Sequence, residues 1–144
     1  MDNPSFFRFR GSYNFCLKDD VEYGKINVKY SEVTKMIFDL KNEKPEILPN
    51  FKGGEKYLIA KMHFDGVNRI LHGTLVPGAT IGEHTHDVNS EIIYFLSGRG
   101  YMLYDGEKQP VEAGMCHYCP KGHTHSMIND SDGELVFFAV VANQ

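Results

Sequence analysis

A chain of 144 residues is long enough for one domain that buries about 70% of its unfolded surface without covalent staples. Its 42% hydrophobic and 24% charged residues are ordinary for a globular protein. A net charge of −4, with no basic cluster, excludes nucleic acid and anionic membrane as expected partners.

No run approaches the ~18 consecutive apolar residues of a membrane span. The N-terminal MDNPSFFRFRGSYNF has Asp2, Arg8 and Arg10 scattered through it and no apolar signal core, so a cytoplasmic protein is expected. Its aromatics, Phe6, Phe7, Phe9, Tyr13 and Phe15, follow no clear period; an arm of this kind is expected to pack on its own domain or on a partner. Lys25–Tyr30 alternates as a strand does, and Ser31–Leu40 fits either a short helix or a strand. Pro45, Pro49 and the pair Gly53-Gly54 mark residues 41–54 as a linker or extended loop. The expected organisation is an arm and linker over 1–54 and one domain over 55–144.

From Glu55 onward, short apolar runs alternate with turn signals. YLIAKMHF ends at Asp65-Gly66, RILHGTLV at Pro77-Gly78 and EIIYFL at Ser97-Gly98, and YMLY, KQPVEA, MCHYC and ELVFFAVVA follow. Seven or eight strands at this spacing predict a sandwich or closed barrel. Arg99-Gly100 and Asp105-Gly106 both suit tight hairpins. Gly73 and Gly82 interrupt strand-like segments, where a missing side chain marks a bulge or a close backbone approach. With Glu91 pointing inward, alternation sends Ile93 and Phe95 in and Ile92, Tyr94 and Leu96 out, leaving a mostly apolar cavity.

The chemistry concentrates between Gly78 and Asn129. His84 and His86, at i and i+2, project from one side of a strand with Cα atoms about 7 Å apart, close enough to converge on one ion. Glu91 opens the next run, and His125 lies beyond a Pro-x-Gly turn as a fourth donor from a distant strand. Three neutral nitrogens and one carboxylate suit one divalent transition metal, with Mn, Fe, Ni and Zn all open. His72 is expected to face the cavity; His117 and Tyr118 split by face, and Tyr118, with Cys116, is the one expected to line it, while His123, two residues before His125, is either on its side of the strand or a loop residue; His72, Tyr118 and His123 are the catalytic candidates. Cys116 and Cys119, followed by His123 and His125, invite a separate zinc site, but residues three apart on a strand face opposite ways, and the two cysteines read as thiols of the cavity or core. The third cysteine, Cys16, leaves an odd count that argues against a disulfide framework.

These segments resemble the two signature motifs of the cupin superfamily, G-x5-H-x-H-x3,4-E-x6-G and G-x5-P-x-G-x2-H-x3-N. All ten fixed positions are filled, by Gly78, His84, His86, Glu91, Gly98, Gly114, Pro120, Gly122, His125 and Asn129. The resemblance implies an all-β fold, an antiparallel double-stranded β-helix or jelly-roll barrel with an N-terminal arm. It implies His84, His86, Glu91 and His125 as metal ligands and Asn129 as a structural hydrogen-bonding residue. It also implies a small-molecule ligand and, from the pairing of barrels in similar small cupins, a homodimer to which the arm contributes.

Two functional readings follow. One is a metal-dependent enzyme acting on a small carboxylate or sugar-like molecule as an isomerase, a lyase or decarboxylase, or a dioxygenase, similar to the sugar isomerase-like and oxalate decarboxylase-like small cupins. The other is a non-catalytic cupin that binds or senses such a ligand. A fold of this kind fixes the site better than the reaction.

Overall fold

The structure, a computed structural model, describes residues 37–144, and the expectations for the aromatic arm and for residues 25–30 lie outside them. Ten strands make up the described fold, in chain order β1 (Glu46–Pro49), β2 (Tyr57–Phe64), β3 (Arg69–Leu75), β4 (Thr80–Thr85), β5 (Asn89–Ser97), β6 (Arg99–Tyr104), β7 (Glu107–Glu112), β8 (Cys116–Cys119), β9 (Thr124–Ile128) and β10 (Leu135–Asn143). They form a six-stranded sheet in the order β1-β2-β3-β10-β5-β8 and a four-stranded sheet in the order β4-β9-β6-β7, with antiparallel pairing throughout. This is the all-β jelly-roll expected. Residues 41–54 are more than a linker: β1 pairs with β2 from Glu46↔Ala60 to Pro49↔Tyr57, and Phe51–Gly53 forms a 3-10 turn against β4.

Period-two alternation builds the core between the sheets. Leu58 and Ala60 of β2, Leu71 and Leu75 of β3, Ile93 and Phe95 of β5, and Leu135, Phe137 and Ala139 of β10 are buried from one side. Ile81, Met102, Val111 and Met127 meet them from the other. Burying each large side chain stabilises the fold by about 1.5–3 kcal/mol relative to leaving it in water. Opposite Phe137 in the β3–β10 pair stands Gly73, and the Phe137 ring occupies the space where a Gly73 side chain would be.

The turns match their residues. Asp105 and Gly106 both have positive φ, 47° and 84°, and join β6 to β7 as a two-residue hairpin. Arg99 and Gly100 instead lie within β6, and the chain reverses at Gly98. At the Pro120-x-Gly122 turn, Gly122 has φ 88°, a backbone conformation costly for any side chain. Its N–H donates to the His86 carbonyl at 2.8 Å, and the His86 N–H donates to the His123 carbonyl at 3.0 Å. Those two bonds tie the end of β4 to the start of β9. Asn129 has the structural role expected of it: buried, it donates through Nδ2 to the carbonyls of Leu75 and Gly133, both at 2.8 Å.

A bulge in β4 matters most for the site. Ile81 pairs with Met127 and His84 with His125, so three steps on β4 span two on β9. The extra residue resets the alternation, and both Ile81 and His84 face the interior. Gly82 sits in the bulge against the 3-10 turn, where an added Cβ would lie 2.1 Å from the Lys52 carbonyl oxygen and 2.8 Å from the Gly54 nitrogen. Backbone cannot yield as a flexible side chain would. Gly82→Ala is therefore expected to destabilise the protein by about 1–3 kcal/mol, read as a lower urea midpoint at unchanged m-value.

Candidate metal centre

Four donors meet between the sheets. His84 stands directly opposite His125 in the β4–β9 pair, His86 follows at the end of β4, and Glu91 enters from β5 in the facing sheet. His125 Nε2 lies 3.0 Å from His86 Nε2, 3.2 Å from His84 Nε2 and 3.1 Å from Glu91 Oε2. Glu91 Oε2 is 3.2 Å from His86 Nε2. His86, Glu91 and His125 are buried and His84 is half-buried.

The outward ring nitrogens explain why the inner ones converge. His84 Nδ1 lies 2.9 Å from the Gly82 carbonyl, which can only accept, so Nδ1 carries the proton and Nε2 presents its lone pair. His86 Nδ1 is held in the same way by Asn89 Oδ1 at 2.5 Å. Lone pairs and a carboxylate facing one another at this range repel unless a positive charge sits among them. Donors about 2.1 Å from one ion and at right angles to each other would be about 3.0 Å apart, close to the separations found. The donor set therefore fits a divalent cation, and these four residues can hold one.

The electrostatics of these side chains point the same way. Burial opposes ionisation of Glu91, yet hydrogen bonds from His125 and His86 and their charges outweigh it and hold the carboxyl at about 2. The bond to Glu91 raises the His86 pKa above its usual value, while burial lowers that of His84. A carboxylate kept ionised in a buried site needs a positive partner.

The centre borders a cavity of about 210 Å3 lined by Phe51, Met62, Leu71, Val88 and Val141, with Lys52 and Arg69 beside them and Asp87 facing solvent. That volume suits a ligand of few heavy atoms. Lys52 sits at φ 57°, ψ 26°, in the left-handed region, pinned by the Gly82 approach. Arg69 lies over the Phe64 ring at 5.3 Å.

The catalytic candidates lie elsewhere. On β3 the inward set is Leu71, Gly73 and Leu75, so His72 faces the outer side between Phe138 and Lys61. Gly73, having no side chain, left the two faces of β3 balanced in the sequence. Tyr118 and Cys116 also face outward; His117 and Cys119 of β8 are buried, because Cys119 pairs with Glu91 and His117 with Ile93. Once β8 is known to pair with β5, the inward Glu91 fixes that parity. His123 turns away from the four donors: its Nδ1 bonds Asp105 Oδ2 at 2.6 Å, its ring stacks on Tyr104, and the bond holds Asp105 below the usual carboxylate range. Lys52, Arg69, Asn89 and His117 carried no motif signal. Lys52 fell in the presumed linker.

Glu91→Ala removes the only carboxylate among the four while leaving the Ile93–Phe95 core in place. Purified with added metal, this variant is expected to keep a cooperative thermal transition and to lose bound metal by more than about tenfold, read by elemental analysis. Unchanged metal content would reject these donors as a binding set.

Comparison with known proteins agrees with this architecture. The cupin-domain family model matches residues 71–141. An oxalate-binding protein of Thermotoga maritima is 30% identical over 116 residues, covering 76% of this chain and 96% of that protein. A crystal structure from the same organism, described as a predicted oxalate decarboxylase, superposes with a TM-score of 0.72 at 27% identity, over 76% of this chain and all of that one. The Schizosaccharomyces pombe Cnp3 cupin domain shares the fold at 12% identity, with a TM-score of 0.63 over 76% of this chain and 74% of that one. With both signature motifs filled and the barrel in place, the chain belongs to the cupin superfamily.

Proposed function

We propose that the chain binds one divalent transition metal through His84, His86, Glu91 and His125, and uses it to take up a small chelating carboxylate of the oxalate class. The observation that carries this reading is the placement of three of the four converging donors, His84, His86 and Glu91, at the wall of a small cavity beside two cationic side chains, Lys52 and Arg69. Three neutral imidazoles and one carboxylate around a divalent ion leave a net charge of about +1, which attracts anionic oxygen donors. Lys52 and Arg69 add charge on the same side, and Arg69 offers a planar fork that matches a carboxylate. The oxalate-binding relative supports the ligand class. The donor set accommodates Mn, Fe, Ni or Zn.

A catalytic reading has its own support. His84, His86 and Glu91 border the cavity, so a ligand there would reach the ion directly. When bound, such an ion acts as a Lewis acid on carboxylate or carbonyl oxygens, the chemistry that decarboxylation, isomerisation or lyase steps require.

Calorimetry with manganese-loaded protein tests uptake. Oxalate is expected to bind in the loaded protein and not after chelation. Lys52→Ala and Arg69→Ala are each expected to weaken binding about three- to tenfold with metal content unchanged. No heat from the loaded protein, or affinity indifferent to both substitutions, would reject the ligand assignment. Formate and carbon dioxide released from oxalate over hours would decide for turnover.

We also propose that the chain forms a homodimer through the outer side of the six-stranded sheet. Ile92, Tyr94 and Leu96 of β5 and Tyr118 of β8 are each 45–52% exposed and adjacent, with Ile92 paired to Tyr118. An apolar patch of this kind on a sheet face fits a second copy of the chain. Sedimentation of the full chain at micromolar concentration is expected to give a dimer, and Ile92→Asp to shift it toward monomer.

A further inference from the structure

We propose that His117 is a positioning residue for the metal centre, accepting at its Nε2 the proton of His125 Nδ1 and so fixing His125 with its Nε2 lone pair turned toward His84, His86 and Glu91. The inference rests on the metal-binding reading above and concerns a residue outside the cupin signature positions.

His125 Nδ1 lies 3.1 Å from His117 Nε2, and both rings are buried. The rings are near parallel, 26° apart, with centroids 5.3 Å apart. Each of the other two histidines faces an accepting oxygen on its outer side: the Gly82 carbonyl for His84 and the Asn89 side-chain oxygen for His86. His125 is the exception, because its outer partner is another imidazole. A neutral imidazole donates from one nitrogen and accepts at the other, so the bond fixes His125 only if His117 carries its own proton on Nδ1. A doubly protonated His117 could accept at neither nitrogen, so the bond requires the neutral ring.

The surroundings hold His117 in place. Its β8 position opposite Ile93 sets its direction, and Tyr104 packs edge-on against the ring at 5.6 Å. His125 most needs such a fixer, since its Nε2 is within 3.0–3.2 Å of all three other donors. A flipped proton there would place N–H, not a lone pair, where the ion must sit. The competing arrangement is a second ion held by His117, Cys119 and His125 Nδ1, whose donor atoms also lie within 4.8 Å of one another. That cluster brings three donors and no carboxylate, against four donors including Glu91 at the first centre.

The test uses zinc, which is diamagnetic, with full-length protein. Zinc titration of wild type, His117→Phe and His117→Gln is followed by elemental analysis, with thermal denaturation to establish folding. Nitrogen-15 spectra of labelled histidine in the zinc-loaded wild type read the protonation of each ring directly. The expected results are one zinc per chain and a protonated Nδ1 on His125. Affinity should fall about 10- to 100-fold in His117→Phe and recover in part in His117→Gln, whose amide oxygen can accept. Equal affinity in a folded His117→Phe protein, an unprotonated His125 Nδ1, or a second tightly held zinc lost in Cys119→Ser would each overturn the proposal. If His117→Phe fails to fold, the wild-type spectra decide. A wild type that takes up no zinc overturns the metal reading and this one together, whereas zinc uptake indifferent to His117 overturns only this one.

Discussion

Like-signed electron pairs gathered at one buried point are the constraint around which this protein is arranged. His84 and His86 each donate outward to an oxygen, so in the neutral rings the inner nitrogens present lone pairs, and Glu91 adds a carboxylate. In water such a cluster would be screened. Between two packed sheets it is not, and its cost falls only when a cation enters or a proton is captured. The depressed Glu91 and raised His86 pKa values reflect that cost, since each group holds the other in its charged form.

Backbone features serve that point from several directions. The β4 bulge resets alternation so that Ile81 fills the core and His84 still reaches the centre. Gly82 lets the 3-10 turn close over the bulge, supplies the oxygen that orients His84, and brings Lys52 to the cavity. Gly122 and the paired bonds between His86 and the turn bring the ends of β4 and β9 together. One small segment thus couples stability, ligand orientation and cavity charge, and a change at Gly82 should be felt in all three.

The outer surface of the barrel follows a different logic. The alternation that buries Ile93 and Phe95 exposes Ile92, Tyr94 and Leu96, and the pairing that turns His117 inward exposes Tyr118. A sheet face polar enough to stay in solvent alone would carry charges at those positions. The centre and the outer patch are thus opposite faces of the same strands, and both depend on the β5–β8 register.

The sequence by itself determined the strand pattern, the inward set on β5 and the four donors, because strand period and motif spacing are local properties carried by residue type. It also determined that Asn129 would be structural and that Cys116 and Cys119 would face opposite ways. Only the tertiary structure decided which face His72 and Tyr118 take, since parity on a short strand is relative until a partner strand fixes it. For β8 that partner is β5, which turned His117 inward and Tyr118 out. Lys52 and Arg69, near one another only in the folded chain, could not be read as a pair from positions 17 apart on separate elements. Long-range pairing assembles the cavity mouth, and no local signal records it.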